Sequence, residues 1–304
     1  MIKKCHKLRL LSVQSFPSTS IMTSCLDYRG GVTEFLIQTG YKFMIGNIYL
    51  SWFSIVLIIM KKNLTRLFTF YAAILFILTF LIFFPLFFLS AQNEKWHGLA
   101  LRVDYLWARL YFPLIFLKVK FDIQFDLIKN QQYILCANHF SYLDIPAIAR
   151  IPIYTKFIGK SSIATVPFFG YMFRKIHIPV NRSNSKSRGK SILQARKALD
   201  MGYGLSFFPE GGIKTKNPPQ MTPFHDGAFR LAIEKQIPII PVTFHDNHKI
   251  QPDEPEFSIF PGKMRIVLHP PILPATQDEV EIKALKKKVF DIIQSELNSK
   301  QDFI

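Results

Sequence analysis

The chain has 304 residues, a formal net charge of +17 and 30 phenylalanines among 49% hydrophobic residues. That length holds one ample α/β domain with a smaller attachment, and a basic, Phe-rich chain suits a greasy anionic surface such as a membrane. Nucleic acid is set aside as partner, because no basic helix with heptads, zinc-finger spacing or aromatic RNA-binding strand is present.

The first 59 residues show no clear periodicity in "MIKKCHKLRLLSVQSFPSTS", although "YKFMIGNIYLSWFSIVLIIM" is apolar enough for a membrane segment. "MKKN" from Met60 has the form of a natural start, with a basic stretch before an apolar one. Residues 1–59 are therefore expected to be an N-terminal extension of the reading frame rather than a working domain. Cys5, Cys25 and Cys136 are scattered without a C-x-x-C, as reduced thiols in a cytosolic setting are.

Residues 60–120 are expected to form a membrane anchor and an interfacial helix. Leu67 to Leu89 carry no charge, a run of the roughly 20 residues that cross a bilayer core. Lys61, Lys62 and Arg66 before it place that end on the cytoplasmic face. A cleaved signal peptide has a shorter apolar region and a small-residue cleavage site. The patch at 105–119, "YLWARLYFPLIFLKV", is interrupted by Arg109 and Pro113 and predicts a re-entrant or interfacial helix with its aromatics near the headgroups. If it returns the chain to its starting face, the remainder lies on the cytoplasmic side of the inner membrane.

Residues 121–304 read as an α/β domain, a mixed sheet covered by helices. The apolar runs "QYILCA", "TKFIG", "IHIPV", "GLSFF", "IPIIPVTF" and "KMRIVLHPPI" predict strands, and 185–201, 226–236 and 277–298 predict helices.

At the end of the first of these runs stands "CANHFSYLDIP". Ser141 and Asp144 form an S-x-x-D capping pattern, which puts Asp144 in the first turn of a helix and within reach of His139. The spacing alone leaves two readings open. Asp144 caps and His139 is a loop histidine, or the two form a general base and its orienting carboxylate. No G-x-S-x-G elbow exists, Ser206 falls inside a strand and Cys136 reads as core, so the nucleophile is expected to be a substrate alcohol. A second turn, "FFPEGG", pairs Glu210 with glycines that let backbone N–H groups approach an anion. Glu210 can equally cap there, and Lys214 and Lys216 are either surface lysines or phosphate contacts.

"NHFSYLD" resembles the N-H-x4-D block of the glycerolipid acyltransferases, the family of 1-acylglycerol-3-phosphate acyltransferases. "IHIPVNR" resembles the second block and ends in Arg182; "FPEGG" resembles the third and "IPIIPV" at 237–242 the fourth. These blocks occur in the family's order between about residues 96 and 270. The resemblance implies that His139 deprotonates the acceptor hydroxyl for attack on the thioester of acyl-CoA or acyl carrier protein, with Asp144 supporting it. It implies that Arg182, Glu210, Gly211 and Gly212 bind the glycerophosphate acceptor, with Asn138 and Lys214 also on the substrate side. Lys160 in "KFIGKSS" resembles a phosphate-contacting lysine, and "VPFFGYMF" resembles the family's P-x-x-G stretch.

Two positions depart from the pattern. Asn181 stands where the second block often has Asp, and Ile213 where the third usually has Arg. Lys214 or Lys216 compensates for the missing guanidinium, or the acceptor carries another headgroup, for example an ornithine-type lipid. An inactive membrane protein that binds lipid or carrier is the non-enzymatic alternative. Lys186, Arg188, Lys190, Arg196 and Lys197 on the 185–201 helix read as a solvated face before an acyl-carrier site. His225, His245 and His248 lack a convincing third ligand, so neither metal nor cofactor is expected. The reading is a membrane-bound O-acyltransferase that makes phosphatidic acid from lysophosphatidic acid.

Overall fold

The computed structural model describes residues 31–128, 131–253, 257–276 and 278–299, with side chains from residue 53 onward. Cys5, Cys25 and the reading of residues 1–30 lie outside the described residues. Contacts divide the chain into two compact units, Met1–Ile59 and Met60–Ile304. The described part of the first unit is the helical stretch 31–59.

Helix α1 is Gly31–Ser90, longer than the anchor read from the uncharged run alone. Its stretch Phe53–Ser90 is long and apolar enough, by length and composition, to cross a membrane. In the second unit, Leu67, Phe70, Ile77 and Ile82 stand exposed while Ala72, Phe80 and Phe87 are buried. Helix α2 (His97–Leu114) packs on that buried stripe. The Trp107 indole donates to Thr79 Oγ1 at 3.1 Å, the Tyr111 hydroxyl donates to the Ala72 carbonyl at 3.2 Å, and Phe76 meets both rings edge-on.

This corrects the expectation for residues 105–119. Trp107 and Tyr111 face the core rather than headgroups, because each has an apolar body and a polar tip that finds a partner on α1. Leu99, Leu106 and Leu110 are among the exposed side chains of α2. The end of the patch is also not helical: strand β1 (Leu117–Ile123) begins there, before the boundary expected at 121.

The remaining elements follow as β2 (Ile134–Ala137), α3 (Asp144–Ala149), β3 (Thr155–Lys160), α4 (Phe169–Ile176), β4 (Ile178–Val180) and α5 (Ser185–Asp200). After them come β5 (Gly204–Phe207), α6 (Gly227–Lys235), β6 (Ile239–Phe244), α7 (Asn247–Ile250), β7 (Gly262–Leu268) and α8 (Glu279–Asn298). The sheet order is β1-β7-β6-β2-β5-β3-β4, parallel throughout except where β6 meets β7. Every residue of β2, β5 and β6 is buried, as central strands covered on both faces must be. One cluster joins the buried residues of α1 and α2 to Ala147, Ile148 and Met172 of α3 and α4; a second joins those of α5, α6 and α8.

This order positions the site. Adjacent parallel strands open their carboxyl ends at one edge of the sheet, where open α/β sheets bind ligands. The residues that follow β2, β5, β3 and β4 therefore converge, although they are far apart in the chain. Between β3 and α4 the P-x-x-G stretch turns tightly: a Cβ at Gly170 would lie 2.3 Å from the Ala164 carbonyl oxygen, so no larger residue fits.

Candidate active site

His139 leaves the end of β2 with its ring Nδ1 3.0 Å from Asp144 Oδ2. Asp144, the fully buried first residue of α3, also accepts the backbone N–H groups of Phe140 at 2.9 Å and Ser141 at 3.0 Å on Oδ2. The Asn247 amide donates to its Oδ1 at 2.6 Å. The carboxylate is thereby held on all sides, and it fixes the imidazole in turn. Phe208 stacks on the His139 ring with centroids 4.1 Å apart. With Nδ1 occupied, Nε2 is the ring nitrogen left for a substrate proton.

His139 borders a cavity of about 1000 Å³. Lys160, Arg182, Gly211, Gly212, Ile213 and Lys214 line one part; Phe76, Trp107, Tyr111, Phe157, Phe169 and Met172 line another. Basic and apolar side chains thus line one cavity together with this imidazole, a lining that suits an amphipathic substrate. A void of about 10 Å³ shares the walls Asp104, Ala149 and Phe157 with this cavity.

The residues singled out from the sequence fall into separate groups. Lys160 ends β3 in an exposed position. Half-buried Arg182 directs its guanidinium to the Gly211 carbonyl, and burial lowers its pKa from the ordinary value. Gly211 has φ +81° and Gly212 φ +145°, and both border the cavity. The exposed Lys214 Nζ lies 3.4 Å from His225 Nε2. Lys216 is exposed and does not border the cavity.

Asn138 and Glu210 differ from expectation. Asn138 is fully buried; its amide donates to the Phe244 carbonyl at 3.0 Å and accepts the Phe244 N–H at 2.8 Å, which ties β2 to β6. Glu210 is fully buried too. Its Oε1 accepts the His139 backbone N–H at 2.8 Å, while Oε2 accepts the Thr222 N–H at 2.8 Å and hydroxyl at 3.0 Å. Burial pushes its carboxyl pKa up from the ordinary value. Neither residue borders the cavity, because buried polar groups take the partners their surroundings supply.

The sequence reading missed Asn247 and Gln251. Gln251 Oε1 accepts the Leu143 N–H at 2.8 Å and faces the Ser141 hydroxyl at 3.1 Å. No spacing rule links these residues to the His139 turn. His245 pairs with Glu296 at 2.9 Å and His248 packs on Phe140; among the described residues no cluster of His, Cys, Asp and Glu is arranged for a metal ion. On α5, Arg196 is bound by Glu234 and Lys197 by Glu94. Ser206 is buried against Thr155, and burial pushes the Cys136 thiol far up.

A carboxylate-held imidazole beside a large cavity can take a proton from a substrate group. Residues 118–245 match the family described as Acyltransferase. A 1-acyl-sn-glycerol-3-phosphate acyltransferase of Chlamydomonas reinhardtii is 30% identical over 169 residues, covering 55% of this chain and 50% of that protein. One of Haemophilus influenzae is 30% identical over 165 residues, covering 53% and 66%. The chain spans 50% of the Chlamydomonas reinhardtii relative and 41% of a Brassica napus one. The crystal structure of the 1-acyl-sn-glycerophosphate (LPA) acyltransferase, PlsC, from Thermotoga maritima aligns with a TM-score of 0.63 at 22% identity, covering 80% of this chain and 99% of that one; the two share a fold. Residues 118–245 thus carry an Acyltransferase domain similar to those of 1-acyl-sn-glycerol-3-phosphate acyltransferases.

Proposed function

We propose that this protein moves an acyl chain from acyl-CoA or acyl carrier protein to the free hydroxyl of 1-acylglycerol-3-phosphate, giving phosphatidic acid. The observation that carries the reading is the His139–Asp144 pair, 3.0 Å apart, with His139 bordering a cavity lined by both basic and apolar side chains. His139 Nε2 takes the hydroxyl proton as the oxygen attacks the thioester carbonyl. The tetrahedral intermediate then collapses: the carbon–sulfur bond breaks, and the departing thiolate recovers the proton from the imidazolium. Asp144 orients the ring and stabilises its charge. The apolar walls accept acyl chain, and Lys160, Arg182 and Lys214 face the headgroup.

The apolar stretch Phe53–Ser90 supports attachment to the membrane, with the catalytic domain on the cytoplasmic face, where soluble thioesters are available. A second reading, transfer to a lysolipid with another headgroup, is favoured by one observation: Ile213 borders the cavity at the position where the third motif block it resembles usually has arginine. Membranes containing the protein, offered lysophosphatidic acid beside lysolipids with uncharged or amino headgroups and both thioester donors, distinguish the two. Preference for lysophosphatidic acid supports the first reading, transfer to another acceptor alone supports the second, and no transfer at all contradicts both.

A further inference from the structure

The proton transfer leaves one group unused that stands behind the cavity lining, against Gly211 and Lys214. His225 Nε2 lies 3.4 Å from Lys214 Nζ. A Cβ at Gly211 would come within 2.8 Å of the His225 ring and 3.2 Å of Lys214 Nζ, and one at Gly212 would lie 3.3 Å from Arg182 Nη1. Three basic side chains thus gather over a Gly-Gly turn that places no side chain between them. The arrangement is anchored: the His225 N–H donates to the Pro209 carbonyl at 2.8 Å, and Thr222 is bound by Glu210.

Glu210 and Asp226, the acids beside this gathering, have other partners. Glu210 spends its carboxylate on His139 and Thr222. Asp226, the acid that acts on His225, is itself held by Lys286 at 2.6 Å. Burial, then Lys214, then Arg182, lower the His225 pKa from its ordinary value; Asp226 opposes and Lys286 adds to the lowering. Like charges this close repel until an anion accepts hydrogen bonds from them together, which favours the protonated ring.

We propose that His225 is a ligand of the acceptor's anionic headgroup, joining Arg182 and Lys214 around the Gly211–Gly212 turn where Ile213 supplies no guanidinium. This rests on the acyltransferase reading for the headgroup's owner, and it names the headgroup class: a phosphate monoester dianion. The free imidazole titrates below its ordinary range and the ligand-bound one above it. Between those two pKa values binding takes up a proton, so affinity falls as pH rises. His139 is a separate group, so the effect falls on the acceptor KM.

The test compares full-length wild type, His225→Ala and His225→Arg in detergent at pH 6.5 and 8.5, where a phosphate monoester is mostly dianionic. Acceptor KM and kcat for lysophosphatidic acid are measured beside equilibrium binding of radiolabelled glycerol 3-phosphate. We expect His225→Ala to raise KM and weaken binding about tenfold at pH 6.5, with a much smaller effect at pH 8.5 and kcat nearly unchanged. His225→Arg, charged throughout, keeps KM low at both values. Acyl transfer with equal KM in wild type and His225→Ala at pH 6.5 overturns the role of His225 and leaves the enzyme reading intact. Absence of transfer to any acceptor sinks the enzyme reading, and the binding arm then decides alone: unchanged glycerol 3-phosphate affinity in His225→Ala refutes the site, and a pH-dependent loss upholds it.

Discussion

The backbone N–H of His139 donates to Oε1 of Glu210 across 71 positions of chain, at 2.8 Å. This bond joins the turn after β2 to the turn after β5, and the other oxygen of the same carboxylate holds Thr222. Glu210 therefore sets where His139 stands rather than what binds beside it.

Replacing Glu210 with Ala leaves buried N–H donors without a partner, at about 1–3 kcal/mol each. The expected result is a melting temperature lowered by several degrees and a kcat lowered at least about tenfold, with acceptor KM little changed. A rise in acceptor KM at constant kcat would instead make Glu210 a headgroup ligand.

Asn247 gives a sharper test of the dyad. Its amide donates to Asp144 Oδ1 at 2.6 Å, a charge-assisted contact. Asn247→Ala is expected to lower kcat about ten- to a hundredfold. Asn247→Asp, which sets a second carboxylate against the first, is expected to be worse. Full activity in Asn247→Asp would rule out the donor role.

Much of this architecture was legible because central strands announce themselves. "ILCA" and "GLSF" are buried throughout, so unbroken apolar runs marked them. β1 was missed for the opposite reason: as an edge strand it alternates exposed Lys118 and Lys120 with buried Leu117 and half-buried Val119 and Phe121, and it directly follows the apolar patch that α2 completes. His139 and Asp144 lie five residues apart, so one motif held both. Asn247 reaches Asp144 from 103 residues away, a proximity that only the pairing of β2 with β6 creates. The partners of Glu210 were not legible, because a motif fixes a residue's place in a turn but not the direction in which a buried carboxylate faces.

A pH dependence of stability follows from a second buried histidine. His97 Nδ1 lies 2.7 Å from Lys156 Nζ, and burial, then the Lys156 charge, lower its pKa to about 4. As pH falls below about 6.5, the unfolded chain binds this proton before the folded one does. The contribution is complete above pH 6.5 and is lost as pH falls toward 4, by up to about 3 kcal/mol. Chemical denaturation of wild type and His97→Gln across that range is expected to show a shallower acid loss in the variant. Parallel curves would remove His97 from the account.

The cavity's apolar part carries an expectation about chain length. Ala149 forms part of the wall shared with the small void, so Ala149→Leu adds volume there. The variant is expected to shift its preference toward shorter acyl donors, read as kcat/KM across a series of acyl-CoA lengths. An unchanged profile would place the bound chain elsewhere.

The central claim is that the imidazole of His139 removes the acceptor's proton. Single-turnover acyl transfer by wild type and His139→Ala, at saturating acceptor and donor and with acceptor binding measured separately, tests it most directly. The account predicts a rate lowered about a hundredfold or more with acceptor affinity retained. Wild-type turnover in a variant that binds its acceptor normally would contradict it.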